Sequence, residues 1–188
     1  MDIAPLLETA RLSMRPLEIG DFEAVHALTA SGEMRRHLAQ EASREDSYRR
    51  LLASIACWHV FGHGIFAVLE RESGTFVGNC GLFRLVRDLD EPWEDAPEAG
   101  WIIARDRWGR GYAGEAMTAA LNWFDRSTAR LRTVAMIAPG NSASEAVAAK
   151  LGYRFTRRAA HRGDPVNLYA RDAPAQPSLT RSISAPTA

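Results

Sequence analysis

Arg105-Asp-Arg-Trp-Gly-Arg-Gly-Tyr-Ala-Gly-Glu-Ala-Met117 is the stretch on which the reading of this chain turns. A short apolar segment, Ala99 to Ala104, reads as a strand and runs into Gly109, Gly111 and Gly114. Tyr112 to Arg126 then carries Ala113, Met117, Ala120, Leu121 and Phe124 at helical spacing. Glycines let a backbone approach a ligand closely, and a helix N-terminus turns unpaired N–H groups toward an anion. Arg105, Arg107 and Arg110 add positive charge. The physical reading is a pyrophosphate cradle.

Two other phosphate motifs fit less well. Gly109, Gly111 and Gly114 satisfy G-x-G-x-x-G, but no acidic residue ends the next strand, which runs into Ala138-Pro-Gly-Asn141. Roughly 75 residues follow, too few for the rest of a doubly wound sheet. No lysine follows the last glycine, so the stretch is not a P-loop.

Working outward, Arg11 to Pro16 alternates and reads as a strand, and Asp21 caps a helix carrying Phe22, Val25 and Leu28. Ser43 to Phe61 reads as a helix ended by Gly62. Ile65–Glu70 and Thr75–Leu85 form a hairpin about Ser73-Gly74. Asp88 to Glu98 is an acidic loop. Leu131–Ala138 is a strand, and Ser142 with Glu145 forms a capping box opening a helix that ends at Gly152. Tyr153–Ala159 and Val166–Arg171 make a closing hairpin around Gly163-Asp164. This order predicts an α+β fold with a mixed sheet. Residues 1–172 form one domain. From Ala173 the chain is rich in Pro, Ser, Ala and Thr, and 173–188 is expected to be a disordered tail.

The 188 residues carry 23 bases against 23 acids, and Lys150 is the lone lysine. Arginine, unlike lysine, forks onto phosphates. Zero net charge and the absence of a basic stripe disfavour a nucleic-acid module. Cys57 and Cys80 are too few for a disulfide framework. No signal peptide and no membrane-length apolar run is present, so a cytoplasmic, bacterial protein is expected. His59, His63 and Cys57 invite a zinc reading, but the H-E-x-x-H signature is missing and Gly62 to Gly64 breaks the helix, so no metal is expected.

Trp108-Gly-Arg-Gly-Tyr-Ala-Gly-Glu-Ala116 resembles the acetyl-CoA loop of the GNAT superfamily, in the branch of ribosomal-protein N-terminal acetyltransferases (RimJ/RimL). Four more segments resemble that branch in the same order: Leu7 to Pro16, Phe76 to Leu82, Glu98 to Ile103, and Asn141 to Tyr153, the last with its Asn-x-x-Ser start and Leu-Gly-aromatic end. The resemblance covers about residues 7–172 and implies the GNAT fold, a mixed, mostly antiparallel central sheet flanked by helices. Two departures stand out. Trp108 occupies the place of the superfamily's Gln or Arg, and Ala148 stands where many members have a thiolate-protonating tyrosine.

The implied activity is transfer of acetyl from acetyl-CoA to a primary amine, of a protein N-terminus or a small molecule, by direct attack and without a metal. Arg107, Trp108, Gly109, Arg110, Gly111, Tyr112, Ala113 and Gly114 would hold the cofactor's pyrophosphate. Asn141 would bond its pantetheine arm. A backbone N–H near Ile102 or Ile103 would hold the thioester oxygen. Glu98 would accept the amine's proton through water, and Ser144 would supply the leaving thiolate's proton. The acidic stretch with Trp93 and Glu94 would attract a cationic acceptor. A monomer or homodimer is expected. The alternative is a non-catalytic member of the fold that binds acyl-CoA as a sensor or interaction protein.

Overall fold

The computed structural model describes residues 5–30, 43–89, 95–128 and 132–173. The strands are β1 (Leu7–Glu8), β2 (Leu12–Pro16), β3 (Ile65–Glu70), β4 (Phe76–Phe83), β5 (Glu98–Ile103), β6 (Thr133–Ile137), β7 (Arg154–His161) and β8 (Asp164–Arg171). The helices are α1 (Phe22–Ala30), α2 (Arg44–Phe61), α3 (Tyr112–Ser127) and α4 (Ser142–Lys150), with short 3-10 turns at Ile19–Asp21 and Arg105–Arg107. One eight-stranded sheet runs in the order β1-β2-β3-β4-β5-β6-β8-β7. Every neighbouring pair is antiparallel except β5 and β6. The predicted α+β architecture with a mixed, mostly antiparallel sheet is the one observed.

Period-two alternation places the core on both faces. On β3, Phe66 and Val68 join a cluster with Ala116, Met117, Ala120, Leu121 and Phe124 of α3, whereas Ile65 and Ala67 join Leu17, Val25 and Leu51 beneath α1 and α2. The α3 stripe is the one that the sequence periodicity marks.

Several local expectations are corrected. β1 is a strand that the sequence reading missed; its two residues are too short for any periodicity to register. Asp21 does not cap α1. It lies in the preceding 3-10 turn, where its carboxylate accepts the Glu18 N–H and two guanidinium bonds from Arg15. The Ser142–Glu145 capping box is not formed. Asn141 caps α4 by accepting the Ser144 N–H at 3.1 Å, while the Glu145 carboxylate receives Asn167 and the Tyr169 hydroxyl from β8. The last hairpin turns on Arg162-Gly163, because His161 pairs with Asp164. α2 meets its expectation, capped by Ser43 and closed by Gly62 with φ of 70°. The tail from 174 to 188 lies outside the described residues.

Candidate active site

β5 and β6 are the site's foundation. Their parallel pairing consists of one register pair, Glu98 with Val134. Beyond it each strand continues, to Ile103 and to Ile137, without pairing, and a cleft of ≈ 1240 Å³ opens between them. Trp101, Ile102, Ile103, Met136 and Ile137 line it. At the C-terminal end of β5 the cleft meets the start of α3. At the N-terminal end it meets Glu98.

Backbone chemistry decides which amides reach the cleft. The Ala104 N–H donates to Val77 on β4 at 2.8 Å. Donors alternate along an antiparallel strand, and the register pairs Ile102 with Asn79, so Ile102 also spends its N–H on β4. The amides of Trp101 and Ile103 therefore face the β6 side. Of the two amides named from the sequence, that of Ile103 faces this side of the cleft and that of Ile102 does not; Trp101, which the sequence reading did not name, faces it too. Gly78 secures the β4–β5 approach, since a Cβ there would lie 2.3 Å from the Ile102 carbonyl oxygen.

The cradle follows at once. Gly109 and Gly111 have φ of 73° and 79°, a left-handed backbone that side chains adopt at a cost. Gly111 is the N-cap of α3 and offers no side-chain cap, which leaves the first helical N–H groups, on Tyr112, Ala113 and Gly114, directed at the cleft mouth. The Trp108 indole donates to the Ile103 carbonyl at 2.7 Å, so this residue clamps the turn to β5 in place of a Gln or Arg contact. The positive charge is more restricted than expected. Arg107 lies 3.1 Å from Glu70 and 2.6 Å from Asp106, and Glu70 also accepts the Tyr112 hydroxyl at 2.9 Å. Arg110 is exposed and outside the cleft lining; its carbonyl accepts from Arg11. Arg105 is also outside the lining.

A network missed by the sequence reading braces this loop from the first strands. The Glu115 carboxylate accepts the Thr9 hydroxyl at 2.6 Å, the Arg11 backbone N–H at 3.0 Å and the Arg11 Nε at 2.7 Å. The Arg11 guanidinium stacks over the Tyr112 ring, 4.7 Å from its centroid. The only sequence signal was that Glu115 lies inside the glycine motif.

At the other end, Glu98 is buried with 6% of its surface exposed, and Arg87 holds both its oxygens. Burial pushes the Glu98 carboxyl above its ordinary range, and the Arg87 guanidinium pulls against that shift. Ser144, on the first turn of α4, lines the cleft, as does Asn141. The Asn141 oxygen is engaged by its capping bond, which leaves its amide nitrogen for a ligand. Asn79, 8% exposed, also lines the cleft and was not singled out from the sequence. Trp93 and Glu94 lie outside the described residues. Of the acids around them, Asp95 pairs with Arg84 and Glu98 with Arg87.

The sequence from residue 11 to 154 matches the family model described as acetyltransferase (GNAT) domain. The chain belongs to the GNAT acetyltransferase family. A Bordetella pertussis chain described as a GNAT-family acetyltransferase superposes on this GNAT domain with a TM-score of 0.78 at 31% identity, covering 89% of this chain and 99% of that one. The Bacillus subtilis protein YkkB is 30% identical over 111 residues, which are 59% of this chain and 62% of YkkB. The ribosomal L7/L12 alpha-N-protein acetyltransferase RimL, in complex with coenzyme A, shares the fold with a TM-score of 0.72 at 19% identity, over 90% of this chain and 98% of RimL.

GNAT acetyltransferases use acetyl-CoA, and the residues of this domain fit it: an uncapped helix N-terminus for phosphates, an apolar cleft between parted strands for an arm, and free amides at the cleft wall. Among the described residues no group of three or more His, Cys, Asp or Glu is placed to hold a metal ion. His63 instead sits buried, its Nδ1 2.9 Å from the Leu82 carbonyl. No helix among the described residues is long and apolar enough to cross a membrane.

Proposed function

We propose that the chain is an N-acetyltransferase that moves the acetyl group of acetyl-CoA onto a primary amine by direct attack. One observation carries the reading: a single cleft joins the uncapped start of α3 to the buried carboxylate of Glu98.

The N–H groups of Tyr112, Ala113 and Gly114 bind the pyrophosphate, and Asn141 donates to the pantetheine arm. The Ile103 amide, with Trp101 beside it, steadies the thioester oxygen as the amine adds and charge gathers there. An aliphatic amine is mostly protonated at neutral pH, so it must lose a proton to become a nucleophile. Glu98 takes that proton through water. Its two oxygens each keep acceptor capacity beyond the Arg87 bonds, and burial moves its pKa toward that of a working base. As the C–S bond breaks, the Ser144 hydroxyl donates to the departing thiolate, the role open because position 148 is alanine, and the proton that the acetylated nitrogen sheds returns to Ser144 through water. The resemblance to RimJ/RimL proteins supports a peptide N-terminus or a small amine as acceptor, in a cytoplasmic enzyme, with residues 1–172 acting as one domain.

Thiol release from acetyl-CoA in the presence of an amine panel tests this. Amine-dependent release is the expected result. Tight coenzyme A binding with no release for any amine would instead mark a sensor.

A further inference from the structure

We propose that the Glu98 end of the cleft is built for an acceptor amine that also carries an anionic group, a carboxylate or a phosphate, seated against Arg50 and Arg162. This rests on the acetyltransferase reading of the same cleft.

Three arginines from separate parts of the fold line this region: Arg50 on α2, Arg87 after β4, and Arg162 in the β7–β8 turn, with His161 beside it. Arg87 fixes their location, since it is bonded to Glu98. The β7–β8 turn packs against the segment that carries Arg87: the Arg162 N–H donates to the Asp88 carbonyl at 3.4 Å and Leu89 bridges His161. Like charge from Arg87 and Arg162 in turn weighs on Arg50. Arg87 spends its fork on Glu98. Among the described residues, no hydrogen bond or ion pair engages the side chain of Arg50 or of Arg162. The acids around them are Asp46, which attracts Arg50, and Asp88 and Asp164, which act on His161. Of these only Asp164 lines the cleft.

The backbone gives independent support. Arg162 has φ of 53° and is the one non-glycine residue in the left-handed region among the described residues. It shares a two-residue hairpin loop with Gly163, whose φ is 89°. Such loops favour Asn, Asp or Gly at both places, so local turn chemistry does not select arginine there. A side chain held in a costly conformation at the wall of a site points to a task for that side chain.

These cations are not a continuation of the phosphate cradle. The six residues of β5 separate Glu98 from Ile103, about 17 Å along the strand, and the cradle lies beyond Ile103. Nor do they suit a polyamine, which would meet like charge from Arg50 and Arg162. An acceptor with an anion near its amine would place the anion on Arg50 and Arg162 and the nitrogen toward Glu98.

Matched amines test this: an α-amino acid against its amide, and a phosphorylated amino alcohol against the free alcohol. Each is assayed for kcat/KM with saturating acetyl-CoA on the full chain, on Arg50→Gln and on Arg162→Asn, a substitution that suits the turn. The expected result is at least a tenfold preference for one anionic member, carried by KM and reduced at least tenfold in either variant, with the KM for acetyl-CoA unmoved. Whichever pair shows the preference identifies carboxylate or phosphate. Equal kinetics within both pairs, a preference for the neutral amines, or a preference unchanged in the variants overturns the proposal. If no amine releases thiol, the acetyl-transfer reading fails. The anion preference is then read by calorimetric binding of the same pairs to the coenzyme A-saturated protein, where equal affinities overturn it.

Discussion

Arg87 and Glu98 form a two-point ion pair at the N-terminal end of β5 in the cleft, Nε to Oε2 and Nη2 to Oε1, each at 2.7 Å. Burial raises the Glu98 pKa and Arg87 lowers it, so the pair sets the protonation state of the proposed base. Glu98→Gln is expected to lower kcat by about a hundredfold and to remove the acid limb of the pH–rate profile. An unchanged profile would take Glu98 out of the chemistry. Arg87→Ala removes the downward pull and should shift that limb to higher pH.

The same variant has a signature in stability. A carboxyl whose folded pKa is raised contributes stability below its unfolded pKa, about 4.3, and loses it as pH rises through the folded value. Arg87→Ala widens that gap. Its destabilisation should therefore grow from pH 5 to pH 8, reaching about 3 kcal/mol when the charge is buried alone. Urea unfolding at both pH values measures this.

Glu115 ties the start of α3 to Thr9 and Arg11. Glu115→Ala should raise the KM for acetyl-CoA several-fold while kcat changes less than twofold, because the brace shapes the cradle and not the acceptor end. Arg11 is partly exposed, so the loss of stability should be about 1 kcal/mol. Steady-state kinetics at varied acetyl-CoA and thermal melts check both.

Trp108→Phe keeps the ring and deletes the bond to the Ile103 carbonyl. The Kd for coenzyme A should rise about fivefold, in line with about 1 kcal/mol for one hydrogen bond. Calorimetry reads the change directly, and an unaltered Kd would show that the indole clamp does not shape the cradle.

His63 is buried against Phe124, and burial holds its pKa below the ordinary imidazole range. A lowered folded pKa means stability that is complete above the unfolded pKa, about 6.5, and lost as pH falls through the folded value. His63→Gln should flatten that acid limb in melts between pH 8 and pH 5. His161, shifted in the same direction, should keep part of it.

The sequence by itself determined what neighbours along the chain can encode. The glycines of the cradle, the apolar stripe of α3, the extent of α2 with its stop at Gly62 and the mixed order of strands are all local, set by sterics and periodicity. Only the tertiary structure decided the competitions. Asn141 took the α4 cap because Glu145 was drawn away by Asn167 and Tyr169 on β8. Thr9 reached Glu115 across 106 positions. Arg87 found Glu98, and Arg50 and Arg162 reached the wall of the same cleft, because the order of the sheet brings α2, the residues that follow β4 and the β7–β8 turn to it. A charge repels or attracts whatever the fold sets within a few ångströms, and burial multiplies that force, so such partnerships carry no spacing that a sequence can display.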